Sequence, residues 1–330
     1  MTTKILPHMT IRDLKNIPQL HEVNDLWVID YPPLGEDIPF NELEKIERYD
    51  AESIVLGAQR LLDLANQGKQ LNLPLYSQEE LEQSPDRKTT ALTFFPGKPG
   101  APYVVICSGG AYILLTNISE GYPTAAKMNE YGYNVFVLTY RRKGAPLIPR
   151  PQEDLAAAVR YIEAHAEKLQ VKKGCYAVGG FSAGGHLAAS WGTKELGSRR
   201  FGLPAAQTLF LCYPGSSLAS INMENIGDVG RQYVAAIAGP DYTREDLIRC
   251  SIENQVDADY PATYLWQTME DPEVSFQTSV VLDAALEKAG VRHRFWAIPK
   301  GDHGLGLGLN GPAEGWVEKA LAFWEEGMND

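Results

Sequence analysis

Gly180-Phe181-Ser182-Ala183-Gly184 is the stretch on which the reading of this chain turns. Before it runs Cys175-Tyr176-Ala177-Val178-Gly179, short and apolar like a buried strand. After it runs Gly185-His186-Leu187-Ala188-Ala189-Ser190, which suits a helix. A serine on so sharp a strand-to-helix turn projects its hydroxyl outward, and small flanking residues permit close backbone contacts. The hydroxyl also lies near a helix N-terminus, whose free N–H groups stabilise developing negative charge. The pentapeptide alone is weak evidence, because an idle serine in a Gly-rich turn has the same sequence. The surrounding segments decide between the two.

Three of them fit a nucleophilic serine. Val104-Val105-Ile106-Cys107-Ser108-Gly109-Gly110-Ala111-Tyr112 is an apolar strand that ends in two glycines and an alanine. Such bare backbone can approach a substrate carbonyl oxygen, although an ordinary turn would also use it. Tyr264-Leu265-Trp266-Gln267-Thr268 reads as a strand, and an acidic loop follows with Glu270, Asp271 and Glu273. Any of the three could hold a histidine in one tautomer, or be a solvated loop charge. Trp296-Ala297-Ile298 leads to a Gly-flanked histidine, His303. His8, His21, His165 and His293 read as surface or satisfied residues. His186 is intermediate, a pocket residue or a helix cap.

From Thr89 onward the pattern alternates between strands and helices. Strands are expected at 91–95, 102–107, 133–139, 174–179, 207–213, 262–268 and 292–298. Helices are expected at 121–131, 153–169, 184–195, 275–289 and 313–326. Strands separated by helix-length segments imply a mostly parallel sheet covered on both faces, with the strand C-termini on one edge. All four segments follow a strand C-terminus, so they converge on that edge. Residues 214–260 carry no strand pattern and are either a cap over the pocket or a helical excursion packed on the sheet. Residues 1–88 read as an N-terminal extension packed on a catalytic domain of 89–330. Within the extension, Asp25–Ile29 has strand character and 41–67 reads as one or two helices that stop at Gly68.

Together the four segments resemble the α/β-hydrolase superfamily over about residues 90–326. The chain is most similar to the bacterial acetyl-esterase group related to carbohydrate acetyl and feruloyl esterases. Ser108-Gly109-Gly110-Ala111-Tyr112 stands against that group's Pro-Gly-Gly-Gly-Tyr. Tyr140-Arg141, Gly180-Phe181-Ser182-Ala183-Gly184-Gly185-His186 and His303-Gly304-Leu305-Gly306-Leu307 also match. The resemblance implies an α/β fold and a triad in the chain order Ser182, Asp271, His303. It selects Asp271 among the acids, because Asp271 and Val274 form the Asp-x-x-Val arrangement typical of such hydrolases. It implies an oxyanion hole from the N–H groups of Gly109, Gly110 and Ala183. Tyr112, Tyr140, His186, Tyr213 and Trp266 follow strand ends or the elbow and are expected to border the substrate. Ser108 and Ala111 depart from the usual loop.

The 330 residues carry a formal charge of −12 and no basic cluster, which argues against nucleic acid and anionic membrane as partners. A small-molecule ester, such as an acylated sugar, fits better. The four cysteines form no Cys-x-x-Cys pair and read as buried reduced thiols. No metal and no organic cofactor is expected. A cytoplasmic location follows from the missing basic-then-apolar leader pattern, and a homo-oligomer is left open. Two further readings remain at this point: an amidase or formamidase of the same fold, and a non-catalytic binding relative.

Overall fold

The strand Ala101–Cys107 shows how the core divides. Tyr103, Val105 and Cys107 point to one side of the sheet, Val104 and Ile106 to the other, and all five are buried. The computed structural model describes residues 3–27, 35–47, 50–224 and 226–328. Among them, eight strands form one sheet: β1 Asn72–Leu73, β2 Ala91–Phe95, β3 Ala101–Cys107, β4 Asn134–Thr139, β5 Val171–Phe181, β6 Thr208–Cys212, β7 Ala262–Thr268 and β8 His293–Ile298. Their order is β1-β2-β4-β3-β5-β6-β7-β8. From β4 to β8 every neighbouring pair is parallel, whereas β1 and β2 pair antiparallel. The chain therefore has the mostly parallel, helix-covered α/β sheet that the strand pattern implies.

Helices cover both faces. Tyr122–Glu130 and Trp316–Met328 lie over Val104 and Ile106, together with apolar residues of the N-terminal 66 residues such as Leu14, Leu20, Ile54 and Leu61. Arg150–Ala164, Ser182–Ser190 and Gln277–Ala289 cover the opposite face. The helix expected at 153–169 begins at Arg150 and breaks at His165, whose backbone leaves the helical region before a short turn, Ala166–Leu169. The two-residue β1 had no sequence signature. Of the expected strand Asp25–Ile29, residues 28 and 29 lie outside the described residues, and Asp25–Trp27 is turn and bend.

Residues 214–260 hold the helices Asp228–Ala238 and Arg244–Cys250 and a single 3₁₀ turn, Ile252–Asn254. Val234, Ile237, Leu247 and Ile252 are buried in the same cluster as the Ser182–Ser190 helix. Among the described residues, no helix is long and apolar enough to cross a membrane.

Parallel pairing puts the C-terminal ends of β3, β5, β6, β7 and β8 along one edge. The loops leaving that edge carry Ser108–Tyr112, Ser182, Tyr213, Met269–Val274 and Gly301–Leu307.

Candidate active site

The elbow is held by contact. A side chain at Gly180 would meet the carbonyl oxygen of Gly184 at 2.0 Å, and one at Gly184 would meet that of Cys107 at 2.1 Å. The helix after Ser182 can therefore press against both its own strand and β3 only if both positions are glycine. Ser182 itself sits at φ 51°, a left-handed conformation that a side chain adopts only when its surroundings enforce it.

Ser182, His303 and Asp271 form one chain of hydrogen bonds. Asp271 Oδ2 lies 2.7 Å from His303 Nδ1, and His303 Nε2 lies 2.9 Å from Ser182 Oγ. A carboxylate only accepts, so Nδ1 carries the proton and Nε2 is left to accept from the serine hydroxyl. Asp271 Oδ1 is fixed in turn by the N–H groups of Glu273 and Val274, at 2.9 and 2.8 Å. The spacing to Val274 thus has a mechanical meaning: the loop wraps its own acid. Gln267 adds a bond to Oδ2 at 3.2 Å. Glu270 and Glu273 are exposed. Burial pushes the His303 imidazolium down, but the Asp271 hydrogen bond and charge, with Glu273 and Glu120 adding, outweigh it. Its pKa stands above the ordinary histidine value.

The oxyanion loop needs one correction. The amide of Gly109 is engaged: it donates to Glu120 Oε2 at 2.5 Å. It cannot also serve a substrate oxygen in this conformation. The amides of Gly110, Ala111 and Ala183 meet no acceptor among the described residues. Ala111 and its neighbour Tyr112 both have left-handed φ, 52° and 60°, and the turn is closed by Ile113 and Leu114 N–H donating to the Gly110 carbonyl.

The aromatic candidates need a second correction. Tyr112, Tyr140, His186 and Trp266 are fully buried and border no open surface. Tyr112 stacks on Tyr233 at 5.9 Å, meets Tyr140 and His186 edge-on at 5.8 Å, and shares a 2.8 Å hydrogen bond with His186 Nδ1. Tyr140 donates to the Ser108 carbonyl at 2.6 Å. Tyr112, Tyr140 and His186 thus pack together against the oxyanion loop, whereas Trp266 packs on Tyr213 and Trp316 on the other face of the sheet. A strand-end position places a side chain at the sheet edge but leaves open which side of the loop it occupies. Tyr213 is also buried, yet its ring meets that of His303 edge-on at 4.8 Å.

Three supporting residues were missed. Asn117 accepts from Ser108 Oγ at 2.9 Å and donates to the Leu26 carbonyl, tying the loop to the N-terminal segment. Thr116 donates to Glu120, and Glu120 receives three bonds in all. They lie in or beside a π-helical turn, Asn117–Gly121, that precedes the helix Tyr122–Glu130. The polar run Thr116-Asn117-Ile118-Ser119-Glu120 was the available signal, but polar residues before a helix also mark an ordinary cap.

Two curated relatives are each 27% identical: endo-1,4-beta-xylanase B of Butyrivibrio fibrisolvens, over 64% of this chain and 34% of its own, and acetylxylan esterase of Xylanibacter ruminicola, over 69% and 46%. The chain thus spans about a third to a half of the length of these relatives. A solved acetyl ester-xyloside bifunctional hydrolase from Caldicellulosiruptor lactoaceticus superposes with a TM-score of 0.65 at 27% identity, covering 77% of this chain and 95% of that one. The sheet and its helices are those of the α/β-hydrolase fold. The family model BD-FAE matches residues 95–286, more than half of the 330, and the chain belongs to that family.

Proposed function

We propose that this protein is a serine esterase that removes short acyl groups, acetyl above all, from carbohydrates or similar alcohols. The observation that carries the reading is the continuous hydrogen-bond chain from Asp271 through His303 to Ser182 Oγ, at 2.7 and 2.9 Å. Ser182 attacks the ester carbonyl while His303 Nε2 takes its proton, and Asp271 stabilises the imidazolium. The amides of Gly110, Ala111 and Ala183 hold the tetrahedral oxyanion, each good donor contributing roughly 3–4 kcal/mol. His303 then protonates the leaving alcohol. Water, activated by the same histidine, releases the acyl group from Ser182. The carbohydrate side of the proposal draws on the relatives, whose names include an acetylxylan esterase and an acetyl ester-xyloside hydrolase.

The test is a substrate panel: p-nitrophenyl acetate, acetylated xylo-oligosaccharides and p-nitroacetanilide, with a fluorophosphonate probe for Ser182. Ester and acetyl-sugar turnover with covalent labelling is expected. Preferred cleavage of the anilide would move the protein to the amidases, and an unlabelled Ser182 would remove it from the serine hydrolases.

A further inference from the structure

Behind the oxyanion loop sits a carboxylate that the reaction above does not use. Glu120 is 4% exposed, and no lysine or arginine pairs with it among the described residues. An acid buried without a cation is costly unless donors surround it. Three do. Gly109 N–H and Thr116 Oγ donate to Oε2 at 2.5 and 2.8 Å, and Tyr213 Oη donates to Oε1 at 2.8 Å. The Gly109 amide can only donate. Tyr213 already accepts from Gly306 N–H at 3.0 Å, so its one proton is directed to Glu120. These contacts suit the ionised form.

Each donor leads to the reacting groups. A methyl group at Gly109 would stand 3.0 Å from both Glu120 Oε2 and Ser182 Cβ, so carboxylate and nucleophile flank the same backbone atom. Gly306 lies in the loop that carries His303, and the Tyr213 ring packs on the His303 ring. One side chain therefore bonds to the oxyanion loop, to the residue after β6 and, through it, to the histidine loop.

We propose that Glu120 is a positioning residue of the serine site: its ionised carboxylate locks the oxyanion loop to the His303 loop and faces the positive charge that His303 takes up during attack. The proposal rests on the esterase reading and deepens it. The titratable groups around Glu120 are Tyr213 and Cys212 from β6 and its end, Tyr140 after β4, and His303. Those facing His303 are Asp271, Glu273 and Glu120. Burial raises the Glu120 pKa, and the bonds from Gly109, Thr116 and Tyr213, with the charge of His303, oppose that rise.

Glu120→Gln tests it. The amide must present N–H groups where only acceptors fit, so either the Gly109 or the Tyr213 bond is lost. The expected result is a fall in kcat for p-nitrophenyl acetate of about 10- to 100-fold with KM held within about two-fold, because misplacing the reacting groups costs the transition state rather than binding. Fluorophosphonate labelling of Ser182 should slow in parallel. The acid limb of kcat/KM should move to lower pH, since one anion fewer faces the imidazolium. A labelling rate and an acid limb equal to wild type would overturn the proposal. Wild type that is not labelled at all would sink the serine reading, and this proposal with it. If Glu120→Gln does not fold, Tyr213→Phe decides: it keeps the carboxylate but cuts its link to Gly306. It should lower kcat about 10-fold with KM held, and unchanged kcat would overturn the proposal.

Discussion

Two buried histidines lie close to Ser182, one at its hydroxyl and one four residues along its helix, and they behave in opposite ways. His303 is 8% exposed and stands above the ordinary histidine pKa. His186 is fully buried and is pushed down to about 3 by desolvation alone. The difference lies in the partners. His303 Nδ1 meets a carboxylate, whereas His186 Nδ1 meets the neutral hydroxyl of Tyr112 and its Nε2 meets nothing among the described residues. Burial without a charge keeps an imidazole neutral and inert. Burial beside Asp271 makes one that can take a proton from serine and hold it.

The largest effects should come from cutting the His303 chain. Ser182→Ala should remove ester hydrolysis, by about 10⁶-fold in kcat, and His303→Ala should cost nearly as much. The double variant should add little, because the two act as one unit. Strictly additive losses in that cycle would count against a working Ser182–His303 pair. Asp271→Asn turns the charged partner into a neutral one, making His303 more like His186. The expected loss in kcat is about 10⁴-fold, through the wrong tautomer and an unsupported imidazolium. Glu270→Gln, on an exposed side chain, should change kcat less than about two-fold. Reversal of these two outcomes would shift the acid by one residue.

The pH dependences should separate the two histidines. His303, with its folded value raised, contributes stability that is present below the ordinary value of 6.5 and lost as pH rises through the folded value. His186, with its folded value depressed, contributes stability present above 6.5 and lost as pH falls toward about 3. That loss amounts to something on the order of 4 kcal/mol by pH 3. Acid should therefore stop the enzyme before it unfolds it: the acid limb of kcat/KM should lie above 6.5, while circular dichroism still reports a folded chain at about pH 6. His186→Asn keeps a partner for Tyr112 but cannot titrate. It should move the acid-unfolding midpoint to lower pH and leave the acid limb of activity in place. Coincident activity loss and unfolding in wild type would break the contrast.

Why His303 was legible in the sequence and Glu120 was not is itself physical. Strands β2 to β8 announce themselves as apolar runs closed by glycine or a polar turn, and a histidine between glycines after the last of them stands out. Asp271 is picked out from Glu270 and Glu273 only by the resemblance, through a spacing to Val274 whose physical basis is that its carboxylate bonds the amides two and three residues ahead. Glu120 has one local partner, Thr116, in a polar run that reads equally well as a helix cap, and its other partners, Gly109 and Tyr213, lie 11 and 93 residues away. The antiparallel direction of β2 was equally hidden, since a periodicity of two carries no direction. The sequence places the aromatics on the right edge of the sheet but not their burial: Tyr112 and His186 are covered by Tyr233 of the Asp228–Ala238 helix, and Trp266 by Tyr213 and Trp316 on the other face.

The burial of these rings also bears on acyl-chain length, where the smallest effect is expected. Tyr112, Tyr140, His186 and Tyr233 pack ring to ring beside Ala111 and line no open trough for an acyl chain. On the short-acyl proposal, a substrate whose carbonyl oxygen sat on the amides of Gly110, Ala111 and Ala183 would place only a short acyl group there. Each added methylene that finds no apolar surface forgoes about 0.8 kcal/mol, roughly four-fold, relative to an open lipase-like groove. From acetate through butyrate to octanoate, kcat/KM for p-nitrophenyl esters should fall. Tyr233→Ala removes the ring stacked on Tyr112 and should flatten that decline, by freeing space on the same side as the neutral His186. A rise from acetate to octanoate in wild type would refute the short-acyl proposal while leaving the Ser182–His303 contrast intact. A steep decline that Tyr233→Ala leaves unchanged would mean that the limit lies in front of the loop, on the Met269–Val274 side, and not in the aromatic stack behind it.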